Sequence, residues 1–192
     1  MAKGWPIDNY LAADHPLQQW ILELIAEYTG VASKQIGTAV DGCSLPTFYV
    51  PISAASRAVA RFVADAAAGD DACHRIMKAV AAHPEMINAH GGFDTELVRV
   101  MAGTGIAKRG AMAIFVVGVN SRNHGPIGIT VKLEEGDMTP MPPAVMRALE
   151  IAEIFTPEQL AQLERFRRIE LKNWNGISVG EIRGEYEMDP KP

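Results

Sequence analysis

Beyond Gly103-Thr104-Gly105 the sequence changes its hydrophobic period, and this switch limits the fold more than any other feature. Before it, apolar residues recur at helical three-and-four spacing. After it, Ala111 to Val119 is a run of branched and aromatic residues suited to a buried strand, and Ile127 to Leu133 alternates as its antiparallel partner across a turn at Asn120 to Gly125. The expected fold class is therefore α+β, with helices packed on a small antiparallel sheet, in one domain over residues 1–192. Two strong strands and a weaker third, Ile177 to Ile182, make a thin sheet. Either they lie on the helices as a small layer, or they belong to a larger sheet whose other members lie outside this polypeptide.

The helices read as follows. Asp14 is placed to cap a helix that has Pro16 in its first turn and runs to Tyr28, burying Leu17, Trp20, Ile21, Leu24, Ile25 and Tyr28 before Gly30 stops it. His15 is a helix-start residue with a structural hydrogen bond. Further helices are expected from Ser53 to Ala67, Ala72 to Ala82 and Asp94 to Met101, with Asp94 as the last one's cap. Another opens at Pro142-Pro143 with Val145, Met146, Leu149 and Ile151 inward. Thr156-Pro157-Glu158-Gln159 is a capped start for a helix reaching Glu170.

Composition excludes several classes of function. A net charge of −5 without a concentrated basic surface argues against nucleic acid as a partner. No apolar run is long enough to span a bilayer, and the Met1-Ala2-Lys3-Gly4-Trp5-Pro6 start lacks a signal-peptide core, so the cytoplasm is the expected compartment and no membrane is engaged. The two cysteines, Cys43 and Cys73, read as free thiols, with Cys73 structural in a helix.

Chemistry-bearing residues gather in two places. The loop Asp41-Gly42-Cys43-Ser44-Leu45-Pro46-Thr47-Phe48 sets an acid, a thiol and a hydroxyl beside a proline that keeps Leu45 extended, so an ordered turn is expected. A thiol nucleophile would need a base or a positive field, and no histidine is locally placed to supply one. Spacing alone supplies no second zinc ligand to Cys43. Lys108-Arg109-Gly110 precedes the strongest strand and resembles the Lys-Thr-Gly element of penicillin-recognising serine enzymes; its plainer reading is an exposed lysine at a strand start.

Taken in order, Gly4-Trp5-Pro6, Tyr10-Leu11, Asp14 to Gln18, Asp41 to Phe48, His83-Pro84-Glu85, Phe93-Asp94-Thr95, Ala107-Lys108-x-Gly110-Ala111, Asn173-Trp174-x-Gly176 and Val179-Gly180 resemble the bacterial type II L-asparaginase family, the thiol-containing, Rhizobium-type group. The resemblance spans nearly the whole chain. It implies the C-terminal half of a fold similar to serine β-lactamases and glutaminases. It also implies hydrolysis of the side-chain amide of L-asparagine to L-aspartate and ammonia, by a serine that a neighbouring lysine makes nucleophilic. Carried onto this chain, it makes Lys108 the strand-edge catalytic lysine, Asp41 and Cys43 substrate-binding residues, and Cys43 a ligand of a zinc ion otherwise held by a second cysteine and a lysine.

Where the family has a Cys-Ser-Gly-Lys-His segment ahead of Gly4-Trp5-Pro6, this sequence has none, and the serine-lysine motif belongs to an N-terminal half without a counterpart here. The family's Gly-Ala-Glu-Gly reads Gly110-Ala111-Met112-Ala113, and its arginine before Phe93 is Gly92. The resemblance thus implies an asparaginase-like chain that is inactive without an N-terminal half. The alternative is a non-catalytic amino-acid-binding or structural half-domain that self-associates as a homo-oligomer through its strand edge.

Overall fold

The computed structural model describes residues 3–188; Met1 and Ala2, which open the stretch read as lacking a signal peptide, and residues 189–192 lie outside the described residues. Helix α1 is Pro16–Thr29, and its cap is His15 instead of Asp14. The reason is that both ring nitrogens of His15 find partners. Nδ1 accepts the Leu17 amide at 3.1 Å, which leaves Nε2 to donate to the Pro6 carbonyl at 3.1 Å, and the ring is buried. Gly30 ends the helix in the left-handed region, as expected. The apolar stripe of α1 is only half-buried, and Trp20 remains exposed, meeting Trp5 edge-on at 5.9 Å.

Strands β1 (Gly37–Val40) and β2 (Pro46–Tyr49) pair as an antiparallel hairpin with Val40 opposite Pro46. Helix α2 is Ile52–Ala68 and α3 is Asp71–Ala82; Asp70 caps α3 by accepting the Cys73 amide at 2.9 Å. A 3-10 turn at Pro84–Met86 leads to α4, Phe93–Met101.

The central sheet is antiparallel, β3 (Gly105–Gly110), β4 (Ile114–Ser121) and β5 (Gly125–Lys132), in that order. Ala111 to Val119 is not the single strand expected, since β4 begins only at Ile114. Ala111 to Ala113 is the turn, with Met112 and Ala113 both at φ 55°, and Gly105 to Gly110 is a strand in its own right. Its composition is poor in branched residues, so packing decides: Ala107 is fully buried in the main core and Ile106 packs against Ala66, Cys73 and Met77. Lys108 consequently lies within a strand, not ahead of one.

Two glycines let α2 lie flat on one face of this sheet. Gly118 and Gly128 are register partners. A Cβ at Gly118 would stand 2.8 Å from the Val59 carbonyl oxygen, and one at Gly128 would stand 1.9 Å from that of Ser56. The opposite face carries the main core, where Phe115, Val117 and Val119 meet Leu97, Val98 and Met101 of α4 and Val145, Met146 and Leu149 of α5 (Met141–Ile151).

The capping box of Thr156 and Gln159 opens α6 as expected, but α6 is Pro157–Gln162 and does not reach Glu170. Leu163 turns wholly into the core, a 3-10 turn at Glu164–Phe166 brings Phe166 to 5.0 Å from Phe93, and Arg167 pairs with Glu150 at 2.6 Å. The chain then leaves as β6 (Arg168–Lys172), hairpinned with β7 (Ser178–Arg183). The molecule is α+β, with six α-helices and three small antiparallel sheets among the described residues. No helix among them is long and apolar enough to cross a membrane.

Candidate active site

The end of β3 that carries Lys108 is held by one buried carboxylate. Asp94 sits at the second position of α4, where the free amides and positive end of a helix favour a negative charge. It is not the cap, since Gly92 occupies that position without a side-chain bond. Its carboxylate is fully buried and takes the Arg109 guanidinium, Nη2 to Oδ1 at 2.6 Å with Nε at 2.9 and 3.0 Å from the two oxygens. It also accepts the Arg109 backbone amide at 3.1 Å and the Asn88 side chain at 3.2 Å. Burial pushes the Asp94 carboxyl up, and the hydrogen bonds and charge of Arg109 outweigh that push, holding it below the ordinary carboxylate range. Next to it Thr95 is buried, its hydroxyl within reach of the carbonyls of Pro84, Asn88 and Ala89, which ties the 84–92 loop to the same helix end.

This pin has consequences for Lys108. Side chains alternate along a strand, so fixing Arg109 toward Asp94 sends Lys108 to the other face. That face carries Ile106 and Gly118 under α2 and α3, but Lys108 lies beyond their cover and is exposed. Its ammonium donates to the Arg109 carbonyl at 2.8 Å. The outward amide and the carbonyl of Arg109 are thus both occupied, one by Asp94 and the other by Lys108.

Asp41 and Cys43 lie elsewhere, at the tip of the β1–β2 hairpin, where Asp41 to Ser44 are all exposed. The tip is ordered as expected. Asp41 Oδ1 accepts the amides of Cys43 at 2.8 Å and Leu45 at 3.1 Å, while the Asp41 amide donates to the Leu45 carbonyl at 2.9 Å. Ser44 closes the turn at φ 67°. Among the described residues no hydrogen bond or ion pair joins Asp41 or Cys43 to Lys108. The structure therefore brings together Lys108, Arg109 and Asp94, and leaves Asp41 and Cys43 on a separate projection.

Both cysteines are free, Cys43 exposed and Cys73 buried with its sulfur 3.3 Å from the Tyr28 hydroxyl. Among the described residues no cluster of three or more His, Cys, Asp or Glu side chains is placed to hold a metal ion. The hairpin brings a zinc ion the Cys43 thiol and Asp41, whose Oδ1 already accepts two amides, which is fewer than the three or four ligands such an ion takes. The described residues do not by themselves complete a zinc site.

The partnership of Asp94 with Arg109 escaped sequence reading. Fifteen residues separate them, a spacing that no helix or strand repeat marks, and Asp94 opposite a helix start looks like a cap.

With this geometry in view, the comparisons give the class of protein. The L-asparaginase II family profile matches residues 1–184. The chain belongs to the L-asparaginase II family. No curated protein matches it.

Proposed function

We propose that this chain is the part of an L-asparaginase-like amidohydrolase that carries the strand-edge lysine, and that it turns over L-asparagine only when joined by polypeptide bearing the serine-lysine pair. The observation that carries this reading is Lys108 on a strand end locked by Asp94 and Arg109, in a chain of the asparaginase family. The serine oxygen adds to the side-chain amide carbon and the C–N bond breaks. Nitrogen leaves as ammonia with the serine's proton, and water then cleaves the acyl ester to give L-aspartate. Lys108 exchanges the Arg109 carbonyl for the serine hydroxyl and the charge that develops beside it. Asp41 would hold the substrate ammonium group, and Cys43 would line the same pocket. A zinc ion at Cys43 would need further ligands from the joining polypeptide. One domain working in the cytoplasm is part of the same proposal.

Ammonia release from L-asparagine tests it, measured for the chain alone and fused behind a segment containing Cys-Ser-Gly-Lys-His. The expected result is activity in the fusion only, lowered about 10²- to 10⁴-fold by Lys108→Ala. A folded but inactive fusion overturns the catalytic reading.

A second reading is a non-catalytic half-domain that self-associates through a strand edge, and one observation narrows it. Within the central sheet the β3 edge is closed at Arg109 by Asp94 and Lys108, so of its two edges β5 is the one left for a second copy. Sedimentation of a clean monomer at high concentration removes this reading.

A further inference from the structure

At the opposite end of β3 from Gly110, the Asn120 amide donates to the Thr104 carbonyl at 2.8 Å, and beside this pair a cavity of about 490 Å³ opens between α2 and α3. Its position is about 13 Å along the strand from Lys108, four residues at the rise of an extended chain. Its buried apolar floor is Val63 and Ala66 of α2 with Met77 of α3, and Ala67 and Ala81 extend it toward the surface. Of its polar side chains, His74, Lys78 and Thr104 are exposed and Asn120 is half-buried. Thr104 has spent its hydroxyl on the Met101 carbonyl at 2.6 Å. The imidazole of His74, the ammonium of Lys78 one turn further along α3, and the side-chain amide of Asn120 make no hydrogen bond or ion pair among the described residues. Among the described residues no acidic side chain lines the cavity, in a chain whose 23 acidic residues outnumber its 18 lysines and arginines.

We propose that this cavity binds a small organic carboxylate with a compact apolar body. Its size is that of small-molecule sites, which combine a mostly apolar lining with a few convergent polar groups that fix orientation. The mouth supplies donors and positive charge for two carboxylate oxygens, Lys78 to one and Asn120 or His74 to the other. The floor supplies methyl groups and a thioether for hydrocarbon, which a hydrated inorganic anion cannot use. A cationic ligand meets Lys78 unfavourably, and a neutral one forgoes its charge. The site shares no residue with the β3 end that carries Lys108, so it stands whether or not the chain hydrolyses asparagine.

Hexanoate is the probe, titrated into the full chain by calorimetry and by amide NMR, with hexanamide and inorganic phosphate as comparators. Hexanoate is expected to shift the amides of Ala67, Met77, Ala81 and Asn120. Hexanamide and phosphate are expected to bind at least about tenfold more weakly, the usual effect of losing one charged hydrogen bond or the buried body. Lys78→Glu, on an exposed side chain, should weaken hexanoate at least about tenfold while thermal unfolding stays unchanged. Equal binding of hexanamide would show that charge is not recognised, and equal binding of phosphate that the body is not; either overturns the proposal. So does unchanged affinity in Lys78→Glu, or the absence of shifts at the four floor and mouth amides.

Discussion

Asp94 and Asp41 invite comparison because each is a carboxylate in or beside the candidate site and accepts several hydrogen bonds, Asp94 through both oxygens and Asp41 through Oδ1. Asp94 is fully buried and reaches across fifteen residues to the side chain and amide of Arg109. Asp41 is exposed and reaches only to amides two and four residues ahead of it. The first joins a helix to a strand and so sets where Lys108 points. The second shapes a single loop. A charged residue's influence on a site follows from what its bonds connect, and a loop rich in chemical groups can be less constrained by the fold than a strand that shows only one lysine.

Breaking the buried member should cost most. Asp94→Ala leaves the Arg109 guanidinium without its partner, and a broken buried pair costs about 3–5 kcal/mol. Because the Arg109 side chain is 37 % exposed it rehydrates in part, so the expected loss is about 2–3 kcal/mol. Urea unfolding should show a lower midpoint at an unchanged slope. The same pair predicts the response to acid. The Asp94 pKa is depressed on folding, so its contribution is whole above the ordinary carboxylate range and is lost as the pH falls through the depressed value. The stability difference between the parent and Asp94→Ala should therefore shrink below about pH 4. A difference that stays constant down to acid pH would mean that the carboxylate charge is not what holds Arg109.

The thiols draw the same contrast. Cys43 is exposed on the hairpin, whereas burial pushes the Cys73 thiol above its ordinary range and covers it. A thiol reagent should modify Cys43 at least about 100-fold faster, with Cys73 reacting only when α3 opens away from α2 and Tyr28. Comparable rates would show that α3 is not docked as described.

These contrasts also mark what was legible in the sequence. A stop and a cap built from neighbours could be read directly, as with Gly30 and the Thr156–Gln159 box, since their partners lie within a few residues, whereas the caps expected at Asp14 and Asp94 gave way to His15 and Gly92. The β3 strand was not legible, because Gly105 to Gly110 has no strand-like composition and is held extended by the burial of Ala107 and by Asp94 from another element. The helix expected to Glu170 failed for a related reason: Leu163 and Phe166 are drawn into a core whose position only the tertiary structure defines. Of the candidate site, the residue types at Asp41, Cys43 and Lys108 were visible, but the bonds that hold β3 beside α4 were not.

On the hairpin, effects should be small and separable. Asp41→Asn keeps a side-chain oxygen that can accept the Cys43 and Leu45 amides, so its cost is expected at no more than about 0.5–1 kcal/mol, against about 1–2 kcal/mol for Asp41→Ala. If Asp41→Asn costs as much as Asp94→Ala, the carboxylate has a long-range partner and the contrast between the two aspartates fails.

The smallest effect is at Ser44. Its φ of 67° places an L residue in the left-handed region, with a penalty of about 1–2 kcal/mol that glycine avoids. Glycine also gives the unfolded chain more freedom, which returns roughly 0.5–1 kcal/mol of that gain. Ser44→Gly should then raise stability by a few tenths to about 1 kcal/mol, read as a shift in the thermal midpoint. It should also leave the Cys43 labelling rate unchanged, because the Asp41 bonds that order the tip do not involve the Ser44 side chain. A loss of stability with faster labelling would mean that the Ser44 hydroxyl holds the tip, and would move the hairpin from a self-contained loop to one tied into the rest of the molecule.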